Sequence, residues 1–503
     1  MKKIEIGKKL TIEQIRNVAS GSGVKVELDP SALEAVKKNR AIVEKVLDGK
    51  SSVYGINTGF GSLSDIRVEK ADLKKLQVNL IRSHCVGVGK PLEAGYVRAM
   101  MLLRAHNLSL GYSGVRPAVI NSLIFFINND IIPIIPEKGS VGASGDLAPL
   151  AHLTLCLIGE GEVIYKGEKR RSLDVIKELK GEKLELEAKE GLALINGTQF
   201  MTSIACLGLI EAESQLKHAD IIAALTVEGV RGTFAPFDVR ISQIRPHEGQ
   251  LTVSKNLISL SKDSQIAESH KNCGRVQDPY SLRCIPQVHG AVRDAVNYLK
   301  KIINTEINSV TDNPLVFDDC IISGGNFHGE PIALSVDFAT IAMSELGSIS
   351  ERRVDKLLTP AFNGELPAYL VRNSGLNSGY MIAQYTSAAL VNENKVLSYP
   401  ASVDSIPTSN NKEDHVSMGA TSVRKFIQVL DNIETILAIE LMVAAEACEQ
   451  RSPLKPAKAL IKILEAVRKE VEPLHEDRVL SHDIQKVKEL IKSKKLLLEV
   501  NID

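Results

Sequence analysis

Apolar residues recur at helical spacing through most of the chain. The clearest stretch is 415–450, where Val423, Phe426, Ile427, Leu430, Ile433 and Leu437 fall on one side of a helix. Stretches 200–230, 287–310, 331–358 and 377–397 read likewise, and shorter helices are predicted over 68–83, 92–108 and 147–158. Straight, the longest would extend roughly 50 Å at about 1.5 Å per residue. Glu211, Glu213, Lys217 and Asp220 break the 200–230 stretch too often for a membrane span, and no apolar run approaches the roughly eighteen residues that one needs. Near the N-terminus, Thr11-Ile12-Glu13-Gln14 has capping-box spacing, with Ile12, Ile15 and Val18 on one side of the helix it opens. Asp29-Pro30-Ser31 opens another. Alternating charged and apolar positions appear at 161–190, broken by Gly161, Gly167, Gly181 and Gly191, where a short strand or two is predicted. The fold class expected is mainly α: a long-helix bundle with a few short strands in the N-terminal part and around 161–190. Ala420, Ala438, Ala444 and Ala445, small residues among the apolar ones, suit close helix packing and an oligomer. There is no low-complexity linker or short repeat, so an N-terminal part, 1–110, and a helical part, 111–503, are expected to form one interlocked unit.

Composition narrows the function. The 503 residues can bury a sizeable core, and 61 Lys and Arg balance 61 Asp and Glu. No global field attracts nucleic acid or an anionic membrane, which leaves specific small-molecule chemistry. The seven cysteines are scattered without CxxC pairs, which points to reduced thiols and the cytoplasm. The charged start, Met1-Lys2-Lys3-Ile4-Glu5-Ile6, lacks the apolar core of a signal peptide.

The stretch with the most chemical content is GSVGASGDLAPLAH, 139–152. Small residues crowd between a Pro-broken apolar run and an apolar helix, so the backbone can bend tightly while buried. If the Gly145 nitrogen attacks the Ala143 carbonyl carbon and the Ser144 hydroxyl is lost, two waters leave and a five-membered ring bearing a methylidene remains. Gly145 lets its nitrogen approach, Ser144 carries the leaving hydroxyl, and Ala143 offers an unhindered carbonyl. By itself the tripeptide is only a turn, because Ala-Ser-Gly arises by chance in roughly one chain of this length in five.

Polar clusters punctuate the helices. Tyr54-Gly55-Ile56-Asn57-Thr58-Gly59-Phe60-Gly61-Ser62 reads as a surface loop or a mobile lid. Asn196-Gly197-Thr198-Gln199, 277–284, 308–314, 324–331 and Lys412-Glu413-Asp414-His415 lie beside predicted helix ends, where free amides favour anionic groups. Capping explains any single cluster. It does not explain Gln277, Tyr280 and Arg283, whose spacing would bring them toward one face of a helical turn. Gly87-Val88-Gly89-Lys90 fails as a phosphate loop because Pro91 follows, and His328, Glu330, Asp414 and His415 lack metal-binding spacing. His106, His152 and His289 read as packing residues.

Taken together, the 139–152 stretch, YGINTGFG at 54–61, Ser83-His84, NGTQ at 196–199, VQDPYSLRCIPQVHG at 276–290, NSVTDNPL at 308–315, GGNFHGEP at 324–331 and EDHVSMG at 413–419 resemble the aromatic amino acid ammonia-lyase family. The resemblance runs through most of the chain. It implies an almost all-helical homotetramer with shared active sites, and a methylidene-imidazolone electrophile formed autocatalytically from Ala143, Ser144 and Gly145, with no external cofactor and no metal. It also implies roles for individual residues. Tyr54 would remove the substrate's β-proton, for which its phenol must titrate below the ordinary value of about 10. Arg283 would hold the carboxylate. Asn196, Gln277 and Tyr280 would orient carboxylate and ring, and Phe327 would line the pocket. His84 and Glu413 would face the substrate side chain, which favours L-histidine, giving trans-urocanate and ammonia, over phenylalanine or tyrosine. Lys412 departs from the Gln usual in the family and either pairs with Glu413 or points to solvent. Attack on the amine or on the imidazole stays open. So do a lyase or aminomutase acting on another aromatic amino acid, and a helical oligomer of this fold without catalysis.

Overall fold

A capping box starts the first helix, Ile12–Ala19: the Gln14 amide donates to Thr11 Oγ1 at 3.3 Å, and the Thr11 amide donates to Gln14 Oε1 at 2.9 Å. Asp29 caps the next, Pro30–Asp48, through the amides of Ser31 and Ala32. Both starts fall where the residue pattern places them. The computed structural model describes every residue except Met1, Ser22, Lys50, Ser51, Ser62, Leu63, Ser64, Asn272 and Cys273. The end of the Gly-rich segment, Ser62, and one of the expected thiols, Cys273, therefore lie outside the described residues.

Helix accounts for 58% and strand for 8%, as expected for a mainly α chain with short strands. The chain divides into two compact units, each built from three separate segments. The first comprises 1–207, 300–336 and 400–424; the second comprises 208–299, 337–399 and 425–503.

In the first unit, Lys2–Ile6 pairs in parallel with Val24–Leu28, and Glu162–Tyr165 forms a hairpin with Glu168–Arg171 that is extended by Ile132–Pro133. Its centre is Ala94–Ser109, whose residues from Ala99 to Ser109 are all buried. A helix apolar all round belongs in a core, and this one carries Arg104 into it.

In the second unit, long helices are tied by buried polar groups rather than by apolar packing alone. Glu440 accepts from Arg353 at 2.6 and 2.8 Å, from Thr226 at 2.7 Å and from Ser350 at 2.5 Å. His289 bonds Asp220 at 2.8 Å through Nδ1 and meets Arg353 at 3.2 Å through Nε2, in keeping with a satisfied packing residue. By length and composition alone, Glu330–Leu358 passes for a membrane span, a candidate that a search for unbroken apolar runs overlooks. Yet 61% of its apolar window is buried inside the protein.

Five elements differ from the pattern-based reading, the first being the helix expected over 287–310, which spans Ile285–Glu306. The helix expected over 68–83 starts at Leu73, after a 3-10 turn at Lys70–Asp72. That expected over 377–397 starts at Met381, because Ser378 and Gly379 donate their amides to Asp477 instead. The longest begins at Gly419, not at residue 415, because Val416 donates its amide to Ser405 Oγ and Met418, left-handed at φ 55°, donates to the Val141 carbonyl. Lys412 to His415 therefore do not open that helix. The face expected to join Gln277, Tyr280 and Arg283 is not formed either: only Tyr280–Arg283 is helical, and Gln277 precedes Asp278-Pro279 in irregular backbone.

Candidate active site

The 139–152 stretch bends where its glycines permit. Gly142 (φ 72°) and Gly145 (φ 76°) face each other in an antiparallel bridge, leaving Ala143 and Ser144 at the tip. Gly145 also lies against Gly197. The Asp146 amide donates to the Gly197 carbonyl at 2.7 Å, and the Gly197 amide to the Ser144 carbonyl at 3.3 Å. A β-carbon on Gly145 would lie 2.2 Å from the Gly197 oxygen, so this approach admits glycine alone. Met418 and Ser417 clasp the other side, Ser417 Oγ donating to the Gly142 carbonyl at 3.4 Å. Ala143 is 7% exposed while Ser144 is half-buried, so the hydroxyl is the part that faces out. Beneath the tip, Asp146 is fully buried, accepts from the Met201 amide at 3.0 Å and from Ser140 at 3.2 Å, and is pushed up to about 7 by burial.

Ser144 opens onto a cavity of about 670 Å³ within the first unit. Tyr54, His84, Asn196, Phe327, Lys412 and Glu413 line it as well. The structure thus gathers around one cavity residues up to 359 positions apart (413 − 54).

Each side chain is held differently. Glu413 Oε1 accepts from Ser144 Oγ at 3.3 Å, and Oε2 from Thr408 Oγ1 at 2.7 Å. His84 ends the Leu73–His84 helix with Nδ1 2.8 Å from the Leu80 carbonyl. A carbonyl only accepts, so Nδ1 carries the hydrogen, and burial lowers the ring's pKa toward the neutral form with Nε2 as an acceptor. Asn196 is 2% exposed; its side-chain nitrogen donates to the Asn313 carbonyl at 2.8 Å, and its Oδ1 is buried with no partner among the described residues. Tyr54 departs from expectation. Burial raises its phenol pKa, the Gly61 amide opposes this, and Glu413 and Asp312 add to the rise. The surface-loop reading of its segment is also corrected, because residues 55–59 are buried. Gly55 at φ 73° packs so tightly that a β-carbon would lie 2.7 Å from Leu192.

A family model for aromatic amino acid lyases matches residues 10–469. The chain belongs to the aromatic amino acid lyase family. It is 50% identical over 496 residues to histidine ammonia-lyase of Myxococcus xanthus, spanning 98% of this chain and 97% of that one. Its fold superimposes on histidine ammonia-lyase of Trypanosoma cruzi with a TM-score of 0.92 at 40% identity, covering 99% of this chain and 95% of that one. Tyrosine aminomutase of Streptomyces globisporus matches with a TM-score of 0.94 at 37% identity, covering 100% of both chains. One fold therefore hosts different chemistries, and the site must discriminate among them.

In this aromatic amino acid lyase, three of the expected residues lie elsewhere. Gln277, Tyr280 and Arg283 belong to the second unit and do not line the cavity. Tyr280 is 72% exposed, Gln277 is exposed, and the Arg283 guanidinium stacks on the Tyr280 ring at 4.7 Å. Asp278 anchors this segment by accepting from the Thr233 amide at 2.7 Å and from Arg275 at 3.0 Å. Lys412 lines the cavity beside Glu413 and is exposed.

Sequence reasoning missed the groups that hold the wall in place. Lys189 Nζ and Asp312 Oδ2 form a pair at 2.7 Å with both side chains 0% exposed. Asp312 Oδ1 accepts from the Asn313 amide at 2.7 Å and from the Asn196 side chain at 3.5 Å. Arg104, fully buried, donates to the Asn196 carbonyl at 3.0 Å and to Gln199 at 2.6 Å. No periodicity marks an ion pair between residues so far apart. Thr408 had a signal in Ser409-Asn410-Asn411, a run of residues that tolerate left-handed backbone.

Proposed function

We propose that this lyase eliminates ammonia from L-histidine to give trans-urocanate. The observation that carries the reading is that His84 and Glu413 both present acceptors on the cavity wall that also holds Ser144. An imidazole offers an N–H to such acceptors, whereas the phenyl ring of phenylalanine offers none and would strip water from two half-buried acceptors without replacing its hydrogen bonds. Histidine ammonia-lyases half identical to this chain over nearly its whole length support the same substrate.

The residues at the tip fit a methylidene-imidazolone formed from Ala143, Ser144 and Gly145. The Gly142–Gly145 bridge holds the backbone bent, the Gly145 contact with Gly197 admits no side chain, and the Ser144 hydroxyl faces the cavity. Once formed, such a ring supplies an electrophile that turns the departing amine, or the imidazole, into a partner for elimination. The chain's own residues do the rest. Asn196, fixed by its amide nitrogen, leaves an oxygen that suits the substrate ammonium better than its carboxylate. Phe327 packs on the substrate. Tyr54 removes the β-proton, but burial favours its protonated form, so the role requires positive charge or donors beyond those of its own unit.

That requirement, with the outward-facing Tyr280 and Gln277, supports a homotetramer in which neighbouring subunits share sites. There Arg283 holds the carboxylate, with Gln277 and Tyr280 orienting it. The described cysteines are all free thiols, which supports a cytoplasmic setting.

Intact mass and ultraviolet detection of product test the reading. The mature chain is expected to lack two waters and to make urocanate from histidine. An unmodified chain, or cinnamate from phenylalanine or coumarate from tyrosine as the main product, would overturn it.

A further inference from the structure

The segment that delivers Glu413 to the cavity is a closed loop. Thr408 and Glu413 pair as an isolated antiparallel bridge, the Thr408 amide donating to the Glu413 carbonyl at 2.9 Å and the Glu413 amide to the Thr408 carbonyl at 3.3 Å. Between them Ser409, Asn410 and Asn411 all take left-handed backbone, at φ 52°, 55° and 62°. Asn tolerates that region better than most residues, so the loop stays tight without glycine. Residues directly opposite in such a bridge place their side chains on one face. The Thr408 hydroxyl accordingly reaches Glu413 Oε2 at 2.7 Å.

Glu413 is thereby left with one oxygen for the cavity. Oε2 is occupied by a stiff, β-branched neighbour, while Oε1 accepts from Ser144 Oγ at the looser distance of 3.3 Å. Ring formation removes that hydroxyl as water, so Oε1 loses the Ser144 bond as the mature site appears. A flexible Glu side chain has several rotamers, and the Thr408 bond selects the one that faces Ser144.

We propose that Thr408 is a positioning residue that fixes the Glu413 carboxylate, and through it sets the preference of this site for a side chain bearing an N–H. The inference rests on the histidine reading above. It adds a residue that does not line the cavity itself.

Thr408→Val keeps shape and β-branching but removes the donor; Thr408→Ser keeps the donor. Purified full-length variants are compared for kcat/KM on L-histidine, for inhibition by L-phenylalanine, and for ring content by intact mass. A hydrogen bond to a charged group sets the scale, so T408V is expected to lose about 10- to 100-fold in kcat/KM for histidine. Its inhibition constant for phenylalanine and its loss of two waters should match wild type, and T408S should stay within about threefold of wild type. In a Glu413→Gln background, T408V should add little, since its effect passes through the carboxylate. Thr408→Ala, which adds no methyl where the hydroxyl stood, carries the same expectation should valine impair folding. Wild-type kcat/KM in T408V, equal damage in T408S, or full additivity with Glu413→Gln would each overturn the proposal. Wild-type protein inactive on histidine would instead overturn the reading on which it rests.

Discussion

Replacing Lys189 by Met tests whether the cavity wall depends on a buried charge pair. Methionine keeps the length and most of the volume of lysine but not the ammonium. Lys189 and Asp312 are 2.7 Å apart and 0% exposed, and burial already disfavours the charged lysine against the pull of Asp312. Removing one partner leaves the Asp312 carboxylate buried with, among the described residues, the Asn313 amide and the Asn196 side chain as donors. Breaking such a pair costs about 3–5 kcal/mol. Unfolding entropy near about 2.1 cal/mol/K per residue amounts to roughly 1 kcal/mol/K for a chain this long, so Tm should fall by about 3–5 °C. Because Asp312 also holds Asn196, KM for histidine should rise at temperatures where the variant is folded. Adding Asp312→Asn removes the stranded charge and should recover a substantial part of the lost Tm. Differential scanning fluorimetry with parallel urocanate assays measures both effects. A Lys189→Met protein within about 1 °C of wild type with unchanged KM would refute the argument, as would a double variant no more stable than the single one.

Ser144→Ala should abolish turnover and leave the mass of an unmodified chain, while thermal stability and oligomeric state stay as in wild type. Glu413→Gln should lower kcat/KM for histidine by about 10- to 100-fold with little change in Tm, which paired kinetics and fluorimetry would check. Glu228, in the second unit, is raised by burial from 4.5 to about 7, against the opposing bonds from Ser264 and the Ala457 amide. Folded protein therefore binds more protons than unfolded protein between those values, and this carboxyl's contribution to stability is present below the lower one and lost as pH rises through the upper one. Glu228→Gln removes that slope, so its Tm minus that of wild type should grow more positive from about pH 5 to about pH 8; a constant difference would contradict the shift.

Helix spans, capping residues and the tripeptide were legible in the sequence because each depends on neighbours a few residues away. Periodicity placed Ala94–Ser109 and Gln199–Gly229 to within two residues, and Thr11 and Asp29 cap as their side chains dictate. Tertiary structure decided what distant segments do to one another. The helix expected from residue 415 starts four residues late, at Gly419, because the backbone before it bonds the Val141 carbonyl and the Ser405 hydroxyl instead of a helical turn. Residues 55–59 are buried instead of forming a surface loop, and burial raises the Tyr54 phenol that the sequence argument needed lowered. Ser144 and Glu413 are 269 positions apart and share a hydrogen bond. The Lys189–Asp312 pair beneath Asn196 has no local signature at all. Local propensity can name the residues of such a site, but desolvation and charge pairing, which set their protonation and orientation, exist only once the chain has closed around them.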